Sequence, residues 1–223
     1  MFRKYSLIIP ICIFLISYPC WAIYQSSTIG NRSGIATGSD WTIEDDFSSD
    51  TESNYTYLSG SPNMSISGGT VQAAGSFADF FAYHSTTLGS ADQTVQMVWN
   101  FGSSGMPCLA FRVDTGGTGY ELCYGNTTKM IIRLVDETFV SNVNFTGSNT
   151  WPTSTSHLVQ ATITSGNIYA YVDWNDDLDF GDADESYGPY ADSTYSSGNY
   201  AGFGIDTDAT NDTTMDDWKS VGN

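Results

Sequence analysis

Basic side chains are scarce in this sequence. Its 223 residues include seven Lys and Arg but 25 Asp and Glu. Two of the seven, Arg3 and Lys4, lie in residues 1–22, which contain no acidic residue, so the rest of the chain carries five basic and 25 acidic residues, a formal charge of −20. Such a surface repels nucleic acid and anionic membranes and attracts cations. The composition therefore predicts no nucleic-acid partner; adaptation of a secreted protein to a saline medium is an alternative reason for the charge.

Long apolar runs are missing after the N-terminal segment. One run covers about residues 7–16, follows the basic pair and precedes small residues at the positions that a signal peptidase reads. This order is typical of a secretory signal peptide. We therefore predict a signal peptide at 1–22, a secreted, extracellular or periplasmic chain, and no membrane insertion once the signal is removed. Residues 23–40 are small and polar without periodicity, which predicts a flexible leader or an edge strand.

Cysteine is also rare, and two of the four cysteines lie in the predicted signal peptide. The other two, Cys108 and Cys123, form a natural pair in an oxidising compartment. A Thr-Gly-Gly-Thr turn at 115–118 lies midway between them, so a hairpin places the two positions directly opposite each other. The sequence predicts a disulfide across this hairpin. The alternative, a reactive or metal-binding thiol pair, lacks nearby His and the short Cys spacing of such sites.

Helical periodicity is absent, and short strand-like runs recur between turns rich in Gly, Asn and Ser. Many short strands without intervening helices favour an all-β fold, an antiparallel two-sheet jelly-roll β-sandwich. We predict one such domain over residues 41–223. The predicted strands are 55–58, 64–67, 70–73, 78–84, 94–101, 109–114, 119–124, 130–135, 139–144, 157–164, 168–172, 200–205 and 217–221.

Acidic residues concentrate in the segment DWNDDLDFGDADES, 173–186. Calcium loops place oxygen ligands at positions 1, 3, 5, 7 and 12. With the first Asp as position 1, these positions are Asp173, Asn175, Asp177, Asp179 and Asp184. Two features depart from the pattern, because Leu178 stands where Gly normally makes the sharp turn and position 12 is Asp rather than Glu.

A cation explains this charge density better than solvent does. Carboxylates so close together repel one another unless a positive charge lies between them. The segment therefore predicts calcium as a cofactor, with a solvated acidic loop as the alternative. Zinc is disfavoured because the two His are isolated and the cysteines are paired. Trp174, Leu178 and Phe180 alternate with the acids, so we expect them to pack one side of the loop against the sandwich.

The run YVDWNDDLDFGDADES resembles the DWNxDGxFxDAxE signature of secreted bacterial repeat domains of the GEVED type. The resemblance covers about sixteen residues. It implies an extracellular, cation-stabilised loop and says nothing about activity.

A wider resemblance covers almost the whole chain after the predicted signal. The motifs EDDF at 44–47, FRVD followed by GYELCY, and the closing NYAGFGI…MDDWKSV are similar to the concanavalin A-like lectin/glucanase sandwiches, the laminin G-like and laminarinase-like group. The resemblance implies that the first and last strands lie side by side and that acids near both ends bind a calcium ion. Carried over, Asp46 and Asp217 are candidate ligands of a second cation, with Glu44 and Asp216 as further candidates.

Four residues are candidates for ligand contact. Strand alternation puts Arg112 on a polar face, and hairpin pairing puts Glu121 on the same face opposite Ala110. A surface ion pair is the alternative interpretation of these two. Exposed aromatic rings stack on sugars in lectin-like sandwiches, which makes Tyr120 and Trp151 candidate platforms.

Motifs of catalysis are missing. Glucanases of this fold carry a Glu-x-Asp-x-x-Glu strand with two catalytic carboxyls, and the sequence contains no such string. It also lacks Gly-x-Ser-x-Gly and His-Glu-x-x-His. We therefore predict a non-catalytic, secreted, calcium-binding module whose partner is an extracellular glycan or another cell-surface or matrix component. Two alternatives are a glycan-cleaving hydrolase or lyase of the same group and a structural or adhesive surface module; the oligomeric state is left open.

Overall fold

Strands dominate the computed structural model of this chain. It describes residues 41–59, 64–75, 79–102, 105–134, 138–146, 149–151, 155–206 and 212–223. These ranges contain one short 3-10 helix, Glu52–Asn54, and fifteen strands. The strands are β1 (Ile43–Asp45), β2 (Tyr55–Ser59), β3 (Met64–Ser67), β4 (Thr70–Ala73), β5 (Phe80–His84), β6 (Gln93–Phe101), β7 (Met106–Val113), β8 (Tyr120–Asn126), β9 (Lys129–Leu134), β10 (Phe139–Asn144), β11 (Thr155–Thr164), β12 (Asn167–Val172), β13 (Ser186–Ala191), β14 (Tyr200–Asp206) and β15 (Thr214–Gly222).

The strands form two antiparallel sheets, as predicted. The eight-stranded sheet has the order β13-β12-β11-β6-β15-β4-β3, and β1 pairs with β15 beside this path. The seven-stranded sheet has the order β10-β9-β8-β7-β14-β5-β2. Ile43 lies opposite Ser220 in the β1–β15 pair, so the first and last described strands are neighbours. The expectation that both ends of the domain meet is therefore confirmed.

Alternation along each strand decides which side chains enter the core between the sheets. In β6, Val95, Met97 and Trp99 are fully buried, whereas Gln96 and Asn100 on the other face are not. The same core cluster includes large side chains of both sheets, among them Phe111, Phe203 and Trp218. Removing one such side chain from water contributes about 1.5–3 kcal/mol.

The hairpin of β7 and β8 contains the disulfide that the sequence predicts. Cys108 lies directly opposite Cys123, and Ala110 lies opposite Glu121. The turn at 115–118 is closed by Asp114, whose Oδ1 accepts hydrogen bonds from the backbone N–H groups of Gly116 and Thr118. The pairing derived from the turn position is therefore confirmed residue by residue.

All thirteen predicted strands are present, and two further strands were not predicted. Neither β1 nor β13 alternates apolar and polar residues in its sequence, since β1 is a three-residue strand with two acids and β13 contains Gly188 and Pro189. One predicted strand begins at 78 and another ends at 135, and both positions lie outside the described residues. So do the predicted signal peptide, 1–22, and the leader, 23–40.

The described residues all belong to one compact unit, 31–223. None of them forms a helix that is long and apolar enough to cross a membrane.

Candidate functional site

The acidic loop, residues 173–185, connects β12 to β13 at one edge of the eight-stranded sheet. The antiparallel ladder brings its two ends together, because Tyr171 pairs with Ser186 and the Val172 N–H donates to the Glu185 carbonyl at 3.0 Å. Asp173 and Glu185, the first and last residues of the loop, are therefore neighbours. Both side chains are buried. The most enclosed carboxylates of the loop thus lie at its base.

Asp173 has a carboxylate oxygen that lacks a hydrogen-bond partner. Its Oδ2 accepts the Leu178 N–H at 2.7 Å, but its Oδ1 is buried and has no partner among the described residues. Burial raises the pKa of Asp173, and the neighbouring Asp177 carboxylate raises it further, against backbone hydrogen bonds that lower it. An unsatisfied buried polar atom costs about 1–3 kcal/mol, and more when the group is charged. A cation next to Oδ1 would remove this cost.

Side chains in the first half of the loop face one another through their polar ends. The Asn175 amide donates to Asp177 at 3.1 Å and to Asp182 at 3.0 Å. Asp177 in turn accepts the Asp179 N–H at 3.2 Å, and Asp179 accepts the Gly181 N–H. Within the described part of the chain, no three acidic side chains of this loop have oxygens all within 4.8 Å of one another. A cation would therefore draw these side chains inward.

Leu178 makes the sharp turn that glycine makes in calcium loops. Its φ is +69°, in the left-handed region that favours glycine, and Asp176 just before it has φ +58°. The chain thus adopts the turn expected at position 6 despite the unfavourable residue. The Leu178 side chain is 47% exposed, so the expectation that it packs on the sandwich is wrong. Its N–H points inward to Asp173, and the reversal of the chain directs the side chain to solvent.

Leu178→Gly is expected to stabilise the protein by about 0.5–1 kcal/mol, because it relieves left-handed strain at a largely exposed position. Leu178→Ala is the matched control, since it removes the same side chain and keeps a Cβ at positive φ. Urea unfolding of both variants in chelator measures the effect. An equal change in the two variants would mean that the side chain, and not the backbone, determines the result.

Asp184, the residue predicted at position 12 of the loop, and its neighbour Glu185 differ in burial. The Asp184 carboxylate is exposed and accepts a hydrogen bond from the Thr146 hydroxyl at 3.1 Å. Glu185, the next residue, is buried and accepts the N–H groups of Trp174 at 2.9 Å and Asp182 at 3.4 Å. Burial raises the pKa of Glu185, as do the charges of Asp173 and Asp182. Glu185 is therefore the carboxylate that shares the base of the loop with Asp173. The final Glu of the GEVED signature is the sequence signal that marks it.

Two of the three apolar loop residues pack against the sandwich as expected. The Trp174 ring lies 4.8 Å from Phe145 and 5.6 Å from Trp151 between centroids, and its Nε1 donates to the Tyr187 hydroxyl at 2.9 Å. Phe180 is buried against Tyr171, at 5.5 Å. The loop is thus fixed at both sides of its exposed acidic tip.

His157, to which the sequence assigns no role, supports the start of the loop. It lies on β11, and its Nδ1 is 2.9 Å from the Asp173 carbonyl oxygen and 3.4 Å from an Asp176 carboxylate oxygen. Since a carbonyl can only accept, Nδ1 is the donor. The buried ring packs edge-on against Trp151 and Trp174, at 5.1 and 5.2 Å. Sequence reasoning missed this residue because sheet pairing, and not sequence spacing, brings it to the loop.

The four predicted ligand contacts are buried, so the expected exposed polar face is wrong. Arg112 is 4% exposed, and Tyr120, Glu121 and Trp151 are fully buried. Arg112 donates from its side chain to the carbonyls of Ala91 and Tyr195 and to Asp92; these bonds are 2.8, 3.0 and 3.0 Å long. It connects the segments before β6 and before β14. The expected alternative, an ion pair with Glu121, does not form.

Glu121, Tyr120 and Trp151 contact other parts of the protein. Glu121 accepts the Arg133 Nε–H at 2.8 Å, and the same guanidinium contacts Asp206 at 3.1 Å. The Tyr120 hydroxyl donates to Asp192 at 2.6 Å. Burial is the main cause that raises the pKa of Tyr120 to about 12, and this hydrogen bond is the second cause. Trp151 lies inside the aromatic cluster beneath Trp174 and supports the acidic loop.

Three of the four acids predicted for a second cation, Glu44, Asp46 and Asp217, line one cavity, and Asp216 does not line it. This cavity has a volume of about 450 Å³. Asp217 lies at an irregularity of the β15–β6 pairing and has φ +50°. The remaining lining residues are Asp45, Thr51, Asn54, His84 and Lys219.

Charge accumulates at this cavity. Burial raises the pKa of Asp216 to about 6, and the charges of Asp217 and Asp46 contribute to the rise. Hydrogen bonds from Ser48 lower the pKa of Asp46. His84 offers no lone pair to a metal, because its Nδ1 accepts the Thr86 N–H at 3.1 Å and Nε2 therefore carries the proton. The donor set favours a hard cation over zinc.

Asp216→Asn is expected to raise the melting temperature at pH 7 in chelator and to change it little near pH 4. The folded-state pKa, about 6, lies above the ordinary value of 3.8. The native protein therefore loses stability as the pH rises through this interval, because the folded state keeps its proton longer. The amide is neutral throughout and still accepts the Asp217 N–H. Melts at both pH values, with the exposed Asp50→Asn as control, measure the difference; equal shifts at both pH values would contradict the assignment.

The two antiparallel sheets with adjacent terminal strands form a jelly-roll sandwich of the concanavalin A-like type. Solved structures of lectin-like domains share this fold. No protein-family model and no curated protein matches the sequence.

Three solved structures illustrate the likeness. The carbohydrate-binding module CBM66 from Bacillus subtilis is 15% identical, with a TM-score of 0.58 over 76% of this chain and 96% of the module. The exoplasmic/lumenal domain of VIP36, in a Ca2+/Man-bound form, is 10% identical, with a TM-score of 0.55 over 76% and 83%. A structure reported for endo-acting O-glycanases of the human gut microbiota is 10% identical, with a TM-score of 0.54 over 82% and 99%. At these identities the likeness shows the fold alone.

Proposed function

We propose that this protein is an exported, non-catalytic module that recognises glycans and binds calcium in the acidic loop. The buried, unpartnered Oδ1 of Asp173 carries the calcium part of this proposal. The glycan part is supported by the fold, since CBM66 is a carbohydrate-binding module and VIP36 is described with calcium and mannose bound.

Calcium suits the ligands that the acidic loop offers. They are oxygens of Asp173, Asn175, Asp177 and Glu185, with Asp179 through its carbonyl and Asp182 next to Asn175. Calcium takes six to eight such oxygens in flexible geometry, whereas zinc prefers nitrogen and sulfur. Asp46 and Asp217 remain the proposed ligands of a second cation, with Glu44 and Asp216 beside them.

Export is supported by two independent features. The segment 1–22 has the order of a signal peptide, and the Cys108–Cys123 disulfide belongs to an oxidising compartment. A secreted or periplasmic location would give the acidic loop access to calcium and the module access to extracellular glycans or another cell-surface or matrix component.

Titration calorimetry and a glycan array test the two parts separately. Calcium added to the chelator-treated protein is expected to give a saturable heat that Asp177→Asn reduces; no heat would overturn the calcium part. Binding of the labelled protein to a subset of glycans is expected, and an array without any signal would overturn the glycan part. The same glycans incubated with the protein should release no reducing sugar. Release would favour the glycan-cleaving alternative.

A further inference from the structure

We propose that the cavity lined by residues of β1, β15, the segment 51–54 and the end of β5 binds one sugar ring that carries no acidic group. This inference rests on the proposed glycan recognition and assigns it a site. The cavity measures about 450 Å³, and small-molecule sites span about 300–1,000 Å³. It is therefore much larger than a single ion requires and is of the size that a sugar ring occupies.

The cavity wall combines hydrogen-bond acceptors with donors. Carboxylates of Glu44, Asp46 and Asp217 supply acceptors. Donors come from the Lys219 ammonium, the Asn54 amide and the protonated Nε2 of His84. A sugar hydroxyl both donates and accepts, so neighbouring hydroxyls match such a mixed wall. A cation held by the carboxylates would make no use of the Asn54 amide or of the His84 Nε2–H, whereas sugar hydroxyls can accept from both.

Charge in the wall selects against acidic sugars. Four carboxylates, including Asp45, face one ammonium. Lys219 already lies 3.3 Å from Glu44, so it has little capacity to neutralise a ligand carboxylate. Uronic acids, sialic acids and sulfated sugars would bring a further negative charge next to these groups, and like charges at this distance repel. A neutral hexose meets no such penalty.

Contacts within the protein hold the residues of the cavity wall in place. Asp45 is occupied by hydrogen bonds from the Phe47 N–H, the Thr51 hydroxyl and the Tyr55 hydroxyl, at 2.9, 2.6 and 2.8 Å. These bonds fix the chain that leads to Asn54. On the other side, the His84 ring stacks on Trp218 at 5.8 Å. Preorganised polar groups lower the entropic cost of binding.

The test measures binding of the methyl glycosides of glucose, galactose, mannose and fructose by saturation-transfer NMR and calorimetry, with glucuronate as the acidic counterpart of glucose. At least one neutral sugar is expected to bind, and glucuronate is not. Asp217→Asn is expected to weaken binding at least about tenfold, since it replaces a charged hydrogen-bond partner. Asn tolerates the left-handed conformation at this position, so the fold should survive. Asp50→Asn controls for charge outside the cavity, and the exposed Asp184→Asn controls for charge in the acidic loop.

The outcomes test the cavity as the sugar site separately from the proposed glycan recognition. Loss of binding in Asp217→Asn but not in the two controls supports the cavity as the site. Binding that persists in chelator means that the sugar hydroxyls contact these carboxylates directly, and it supports the site. Glycan binding that is unchanged in Asp217→Asn overturns the site while leaving the proposed function intact. Absence of any glycan binding by the native protein overturns both.

Discussion

Asp173→Asn is expected to abolish the stabilisation by calcium and, in chelator, to raise the melting temperature. Without a cation, a buried carboxylate with an unpartnered oxygen destabilises the folded state, and a neutral amide of the same shape does not carry that charge. With calcium at about a hundred times its dissociation constant, the native protein should gain roughly 2.7 kcal/mol, or about 5–10 °C for a domain of this size. The variant should gain almost nothing, so the two melting curves exchange their order when calcium is added.

Asp184→Asn is the matched control for this experiment. The two residues are chemically identical, but Asp184 is exposed and bonded to Thr146, whereas Asp173 is buried at the base of the loop. Differential scanning calorimetry of the three proteins in calcium and in chelator gives all the required values. Retention of the full calcium response by Asp173→Asn would remove this residue from the site, and loss of the response in Asp184→Asn would restore the ligand predicted from spacing.

Glu121→Ala is expected to lower the free energy of unfolding by about 3–5 kcal/mol, since it leaves a buried guanidinium without its closest partner. Arg133 is almost fully buried and lies 2.8 Å from Glu121. It also lies over the Phe81 ring, with its Cζ 5.5 Å from the centroid. The remaining contact, to the partly exposed Asp206, does not replace the lost carboxylate. This outcome would separate a structural Glu121 from the ligand contact predicted from the sequence.

The ion pair of Lys219 and Glu44 is the control for the buried pair of Glu121 and Arg133. Its atoms are 3.3 Å apart at the surface, and exposed ion pairs contribute under about 1 kcal/mol. Glu44→Ala should therefore change the free energy of unfolding little under conditions in which Glu121→Ala changes it strongly. Guanidinium chloride titration measures both. A small effect of Glu121→Ala, combined with loss of glycan binding, would return this residue to the candidate site.

Strand alternation made most of the fold predictable, and its exceptions have physical causes. β1 forms because β15 offers it a partner strand with Lys219 opposite Glu44, and nothing in the tripeptide itself favours a strand. β13 tolerates Pro189 because it is an edge strand, where a missing N–H interrupts no ladder. Both strands depend on neighbours that are distant in sequence.

The acidic loop was located from charge density and spacing, but the burial of its individual carboxylates could not be predicted. Spacing counts residues along the chain, and it selected Asp184 because that residue stands at position 12. Burial instead distinguishes Glu185, since the β12–β13 ladder brings it beside Asp173. His157 joins the loop from β11 through the same sheet.

The sequence by itself determined the sandwich class, the disulfide pair and the position of the acidic loop, because side-chain alternation, turn residues and charge density are local properties of the chain. Only the tertiary structure decided which polar residues are accessible. Arg112, Tyr120, Glu121 and Trp151 look like surface residues in the sequence but are enclosed by segments far along the chain. Conversely, Asp46 and Asp217 line the same cavity only because β1 pairs with β15. Burial depends on which distant segments pack together, and no local pattern encodes it.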